Sequence, residues 1–342
     1  MNKPVVPEVP LALWRELYAA AHAYHELCPW EWMPDIFWLG VQTQGLARVL
    51  CVLGQNREVF GLAGYRGAGI NHLLRLRIGE VEPEDESNLH KQDAIFLDFE
   101  AKSRFHQNDK QLLKRLDYRP PRVQPRGYPY FRSHRPWYAP WFIEEAEAQI
   151  MLHDLRCMAE FARLIRDHPE FFDDRGPLEV PFLLTPFRDK LSLDQLDWQQ
   201  MLIPRTSEVP TLPPEKKLAS LRRLPVQSRF HLELDAFPTL ISIGEGPRPW
   251  SAKMALAVDG DSGMVLNHTL GKPEVTLGDT AVKCLVDLIQ QARCRPGQLQ
   301  VYPDHAESLA PLANALQLTL QVVEYLPMVE EARSSLMQRF GG

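Results

Sequence analysis

An arginine- and aromatic-rich segment, residues 117–141, carries the residue types best suited to binding chemistry in this chain. Guanidinium groups pair with phosphates and aromatic rings stack on bases, so this mixture can bind nucleic acid. The candidate contacts are Arg119, Arg122, Arg126, Arg132, Arg135 and Trp137. The prolines favour another interpretation, an extended surface connector whose aromatics lie on the domain and whose arginines stay solvated or pair with carboxylates.

A second candidate is residues 255–266 (ALAVDGDSGMVL), two apolar runs joined by a turn rich in Asp and Gly. Such a turn predicts a β-hairpin, because Gly and Asp tolerate the positive φ angles that tight turns require. Asp259 would close the first strand, and Asp261 would lie in the turn. Ser262 does not occupy a nucleophile elbow, since Gly-x-Ser-x-Gly is not present around it.

Two further groups of residues favour structural interpretations. The glycine-rich stretch 64–69 (GYRGAG) lies between a predicted strand and a predicted helix, where backbone N–H groups can bind phosphate. Its glycine spacing matches neither the P-loop nor the dinucleotide fingerprint, so we expect a structural turn. His22, His25 and Glu26 have helical spacing, but without a second cluster of ligands they predict an exposed polar face.

The elements that position these residues begin with an α+β domain, which we place at residues 8–200. Helical periodicity predicts helices at residues 11–27, 70–78, 102–116 and 142–168. Alternating or apolar runs predict strands at residues 37–42, 47–54, 58–65, 94–99 and 180–184, the first three as an antiparallel meander. Residues 201–225 are expected to be a linker.

Residues 226–342 predict a second domain, of the α/β class. A strand at 230–235 opens it, followed by the hairpin strands 252–258 and 264–270. Helices at 280–292, 307–316 and 328–340 then alternate with strands at 299–302 and 318–323. This order predicts a mixed sheet with helices on its faces.

Two motifs resemble a family of uncharacterised bacterial two-domain proteins. One is residues 126–133 (RGYPYFRS) with the following Pro140, Trp141 and Glu144; the other is residues 248–250 (RPW), leading into Val258 and Asp259. The resemblance also includes the first helix and residues 29–33 (PWEWM), so it spans most of the chain. It implies a two-domain layout and no particular chemistry.

The order of elements from residue 252 onward resembles the ribonuclease-H-like fold of integrases and transposases. The resemblance implies acids at Asp259 on the first strand, Asp304 after the fourth strand, and Glu330 or Glu331 on the last helix. Such acids would hold two Mg²⁺ or Mn²⁺ ions, which activate water and stabilise the leaving oxygen of a phosphodiester. His305 could carry a proton beside them.

Other features favour structural roles for the same acids. The third antiparallel strand that this assignment needs would have to lie near residues 274–277, where the pattern is weak. Residues 226–342 contain nine Lys and Arg against thirteen Asp and Glu, which creates no phosphate-attracting surface. Asp259 is also a good turn residue, and Asp304 is a good N-cap for the helix after it.

Composition places this chain among ordinary globular proteins. Of its 342 residues, 45% are hydrophobic, the net charge is -6, and the five cysteines form no C-x-x-C pair. We expect a cytoplasmic protein with reduced thiols and no membrane association. The leading hypothesis is a binding protein with a catalytically degenerate ribonuclease-H-like domain and no cofactor, whose partner is a protein or nucleic acid. The alternative is a magnesium-dependent nuclease or phosphoryl-transfer enzyme.

Overall fold

A computed structural model describes residues 8–43, 45–82, 88, 90–120, 127–183, 190–204, 210–243 and 248–340. The chain divides into two compact units, an N-terminal unit that ends at Pro204 and a C-terminal unit that begins at Arg205. Each unit contains one mixed sheet. None of the described helices is long and apolar enough to span a membrane.

The N-terminal unit contains a seven-stranded sheet with the order β5-β4-β3-β2-β1-β6-β7. Its strands are β1 (Leu39–Thr43), β2 (Leu46–Leu53), β3 (Gly61–Arg66), β4 (Ala94–Glu100), β5 (Tyr128–His134), β6 (Glu179–Leu183) and β7 (Leu196–Gln200). All neighbours are antiparallel except β1 and β6, which are parallel. The predicted meander β1–β3 is confirmed. The arginine-rich segment, however, contains an edge strand, β5, where the prediction had an extended connector.

Helices cover both faces of this sheet. They are α1 (Leu11–Leu27), α2 (Ala68–Arg77), α3 (Gln107–Leu116) and α4 (Glu145–Asp167). Because side chains alternate along a strand, Leu50 and Val52 of β2 pack with α1 and α4, while Val49 and Cys51 pack with α2. The long helix α4 begins with a capping box between Glu144 and Glu147.

The C-terminal unit contains a five-stranded sheet with the order β10-β9-β8-β11-β12. Its strands are β8 (Val226–Ile243), β9 (Trp250–Asp259), β10 (Val265–Gly271), β11 (Arg295–Val301) and β12 (Leu320–Val322). Strand β9 is antiparallel to both β8 and β10, whereas β11 runs parallel to both β8 and β12. The helices are α5 (Glu215–Arg222), α6 (Leu277–Ala292), α7 (Pro303–Leu316) and α8 (Pro327–Phe340).

Two expectations for this unit are wrong. The long strand β8 is the first of the three antiparallel strands, so the strand that ends at Asp259 is the second, and no strand forms at residues 274–277. The predicted linker contains the helix α5, whose Leu218 and Leu221 are buried in the core. The strand assignment failed because pairing partners, which decide strand order, are not visible in a local pattern.

The two faces of the C-terminal sheet bury different helices. Leu232 and Leu234 of β8 and Ala255 and Ala257 of β9 pack with α6 and α7 in one core. Their alternating neighbours, including Phe237, Leu256 and Val258, pack with Val329 of α8 in another. The face that a polar residue occupies therefore decides which of the two cores it borders.

Candidate functional site

Two acids of the central strand β8 project toward helix α8. Glu233 and Asp235 alternate with Leu232 and Leu234, which face α6, so both carboxylates lie on the α8 face. Glu233 is 2% exposed and accepts a hydrogen bond from the N–H of Val329 at 2.9 Å. It thereby satisfies a donor in the first turn of α8. Burial raises the pKa of Glu233, and the N–H groups at the helix start only partly offset that rise.

Asp235 is paired with His305, the histidine proposed from the sequence as a proton carrier. The Nε2 of His305, in the first turn of α7, lies 2.9 Å from Oδ1 of Asp235, and both side chains are almost buried. The contact joins β8 to α7 across 70 residues of sequence. His305 is therefore engaged within the fold and does not stand open toward a substrate.

Glu330 is held by a tyrosine. The hydroxyl of Tyr302, the N-cap residue of α7, donates to Oε1 of Glu330 at 2.7 Å. Burial and this carboxylate together raise the pKa of Tyr302 to about 12. The adjacent Glu331 is exposed. Glu330 thus acts as the acceptor in a contact between α7 and α8.

Asp259 lies on the other side of the sheet. In β9 it alternates with Val258, which faces α8, and it lines a shallow cleft with Leu288 and Gln291 of α6. Its Oδ1 accepts hydrogen bonds from the hydroxyl and N–H of Ser262, at 2.7 and 2.8 Å, and these bonds lower its pKa. Asp259 closes the hairpin turn.

The three acids implied by the resemblance do not form one site. Asp259 and Glu330 are on opposite faces of the sheet, and Asp304 lies in the first turn of α7, where Tyr302 and not Asp304 is the N-cap. Within the described part of the chain, no three His, Cys, Asp or Glu side chains are grouped so as to hold a metal ion. The donor set therefore does not fit Mg²⁺ or Mn²⁺, which need several oxygen ligands around one point.

In the N-terminal unit, Arg132 is buried and fully engaged. Its two Nη atoms lie 3.1 and 2.7 Å from the carboxylate oxygens of Asp109, and its guanidinium is 3.8 Å from the centre of the Tyr130 ring. Phe142 covers it at 4.5 Å. Binding a phosphate through Arg132 would require this bidentate pair to break.

Arg135 belongs to a second cluster of charges, around the start of α4. It contacts Glu144 at 2.8 Å and Glu147 at 3.4 Å. Glu147 also accepts hydrogen bonds from Arg66 at 2.8 Å and from Ser133 at 2.7 Å. Burial would raise the pKa of Glu147, but the hydrogen bonds outweigh burial and leave the pKa below its ordinary value.

The remaining predicted contacts differ in their surroundings. Trp137 stacks on His90 with ring centres 5.2 Å apart and an interplanar angle of 9°. Arg119 is exposed. Arg122 and Arg126 lie outside the described residues. Nucleic-acid binding by this segment stays a prediction. Arg132 and Arg135 pair with carboxylates, as the second interpretation expected, although Arg132 lies in the edge strand β5 and not in an extended connector.

Glu233 and Asp235, the two buried acids of β8, were not singled out from the sequence. A signal was present, because the predicted strand at residues 230–235 alternates apolar and acidic side chains and so places both acids on one face. The resemblance instead assigns the first strand to the hairpin strand that follows, and with it the first acid to Asp259.

Comparison with known proteins identifies two domains in the chain. Residues 14–180 match a domain of unknown function (DUF7309), and residues 217–337 match another domain of unknown function (DUF6930). No curated protein and no solved structure matches the chain. The chain is therefore consistent with an uncharacterised two-domain family, with one domain on either side of the boundary at Pro204.

Proposed function

We propose that the C-terminal unit is a ribonuclease-H-like domain that acts by binding and not by two-metal catalysis. The fold part of the proposal is supported by strand order. The first strand, β8, lies between the second and fourth, the first three strands are antiparallel, and the last two are parallel to the first. Helices follow the third, fourth and fifth strands, as in that fold.

The observation that carries the functional part is the separation of the acids. Asp259 and Glu330 occupy opposite faces of a packed sheet, so a loop rearrangement cannot bring them to one pair of ions about 3.5–4 Å apart. The acids on the α8 face that the sequence did not single out, Glu233 and Asp235, each have a protein partner. Their arrangement supports a structural role, in which carboxylates fasten α7 and α8 to β8.

The edge of the sheet is the binding surface that the structure favours. Among the described strands, β10 pairs only with β9, and Leu270 and Val265 on it are 51% and 43% exposed. The preceding residue Met264 is 60% exposed. Exposed apolar side chains on an unpaired strand suit the addition of an extended segment from another protein. The net negative charge of residues 226–342 favours a protein over nucleic acid here.

The catalytic part is tested with labelled single- and double-stranded DNA and RNA at low salt, with Mg²⁺ or Mn²⁺. We expect the wild type to show no metal-dependent cleavage that is lost on Asp304→Asn. Asp287→Asn is the matched control, because Asp287 is an α6 acid paired with Lys283 on the surface. Metal-dependent cleavage that is lost in Asp304→Asn and kept in Asp287→Asn would refute the proposal.

The binding part is tested by comparing proteins captured by the wild type and by Leu270→Lys. A charge on the edge strand should abolish capture of a specific partner while circular dichroism and the melting temperature stay unchanged. Val322→Lys on the opposite edge, β12, is the control, since Val322 is 49% exposed there. If Leu270→Lys captures the same proteins as the wild type, β10 is excluded as the binding surface.

A further inference from the structure

A cleft of about 740 Å³ opens in the N-terminal unit beside the end of α1. Its inner wall is aromatic: Trp30 meets Phe60 with ring centres 6.0 Å apart and Phe99 at 5.6 Å. Trp30 and Phe99 are 8% and 1% exposed, so this wall is part of the packed core and is held rigidly. The volume is in the range of sites that bind small molecules.

Gly54 allows the backbone to approach this wall. Its φ is +144°, and a Cβ placed there would lie 2.5 Å from Cβ of Trp30 and 3.1 Å from the Phe60 ring. The turn that follows ends at Arg57, which has a positive φ of 61° that is uncommon for a residue with a side chain. The turn therefore places an arginine at the mouth of an aromatic cleft.

The mouth combines a stacking surface with two charges. Trp32 is 38% exposed, and its indole N–H donates to the carbonyl of Leu27 at 3.3 Å, which fixes the ring. Across the described residues, no other ring stacks on Trp32. The side chains of Arg57 and Glu31 line the same cleft, and neither forms an ion pair with any part of the chain that the structure describes.

We propose that this cleft binds a small ligand with a flat aromatic ring and an anionic group, and that a purine mononucleotide is the class that fits best. The ring stacks on Trp32 above the aromatic wall, as bases stack on indoles in nucleic-acid-binding proteins. Arg57 pairs with the phosphate through its planar fork of donors. Glu31 accepts a hydrogen bond from an exocyclic amino group of the base.

The proposal concerns a free nucleotide and is independent of the C-terminal unit. It is also distinct from the predicted nucleic-acid contacts that the structure describes, Arg119, Arg132, Arg135 and Trp137, none of which lines this cleft. A longer nucleic acid would require further cations along its path, whereas Arg57 is the one arginine or lysine among the described residues that line the cleft.

Isothermal titration calorimetry of the full chain tests the proposal with adenosine and guanosine 5′-monophosphate, the matching nucleosides and inorganic phosphate. At least one of the two nucleotides should bind saturably, its nucleoside more weakly, and phosphate alone not at all. Absence of saturable binding by both nucleotides at millimolar concentration would overturn the proposal. Equal affinity for nucleotide and nucleoside would overturn the pairing of Arg57 with the phosphate.

Variants locate the site. Trp32→Ala should raise the Kd about tenfold, which corresponds to ~1.4 kcal/mol. Arg57→Gln should raise the Kd for the nucleotide toward that of the nucleoside without changing nucleoside binding. Arg156→Gln, at an arginine 60% exposed on α4, is the control and should bind as the wild type does. Unchanged nucleotide affinity in both Trp32→Ala and Arg57→Gln would show that the ligand binds elsewhere.

Discussion

Removing one partner of the buried Arg48–Asp154 pair should destabilise the N-terminal unit severely. Arg48 of β2 and Asp154 of α4 are 1% and 0% exposed. The Nη2 of Arg48 lies 2.8 Å from Oδ1 of Asp154, and its Nε lies 3.0–3.1 Å from both carboxylate oxygens. Asp154→Ala leaves a guanidinium in the core whose remaining hydrogen-bond partners, among the described residues, are the Thr43 hydroxyl and the Leu46 carbonyl. Breaking such a pair costs about 3–5 kcal/mol.

Urea unfolding followed by tryptophan fluorescence measures this cost, because seven of the eight tryptophans lie in the N-terminal unit. Arg48→Met and the double variant complete a cycle. The double variant should lose at least about 1 kcal/mol less than the sum of the single losses, since neither charge is then left alone.

The exposed pair of Glu16 and Arg156 is the matched control. Its side chains are 59% and 60% exposed, so Glu16→Ala should cost less than about 1 kcal/mol. The reasoning would be refuted if Asp154→Ala cost no more than Glu16→Ala, or if the losses of Asp154→Ala and Arg48→Met were simply additive.

Three further predictions concern single residues. Gly54→Ala should lower the free energy of unfolding by more than about 1 kcal/mol, because the added Cβ meets Trp30 at 2.5 Å and φ is positive. Urea unfolding measures this loss, and an unchanged midpoint would contradict the packing of this turn. The pKa of Glu147 is lowered in the fold, so its contribution to stability is present above its ordinary value of 4.5 and is lost as pH falls. Urea midpoints measured from pH 3 to 7 should therefore fall less steeply on acidification in Glu147→Gln than in the wild type. Equal slopes in the two proteins would contradict this prediction. The pKa of Glu233 is raised, so its contribution has the opposite sign: it is present at low pH and is lost as pH rises through the raised pKa. Circular dichroism melts of Glu233→Gln should show no such loss, and a loss as large as in the wild type would assign it to another group.

Local patterns predicted most helices well. The helix α1 has the predicted bounds, Leu11–Leu27, and α4 begins at the glutamates whose charges suit a helix start. Both succeed because apolar residues recur at helical spacing within a few residues of each other, and α4 also has a capping box in its first turn.

Strands were harder to predict where their partners decide them. The edge strand β5 contains Pro129 and Arg132, and it reads as a connector until pairing with β4 is known. Strand β8 was recognised in part, but its place as first strand depends on its pairing with both β9 and β11. Without that pairing, the expected acid falls on Asp259 instead of on β8.

The sequence by itself determined the two-domain layout, most of the helices and the alternation that places Glu233 and Asp235 on one face. Tertiary structure decided which charges meet: Asp235 reaches His305 across 70 residues, and Arg48 reaches Asp154 across 106. A hydrogen bond depends on distances of a few tenths of an ångström, and these distances are set by sheet pairing and helix packing between remote segments. Residue types and spacing specify the groups available for chemistry, and only packing assigns each group its partner.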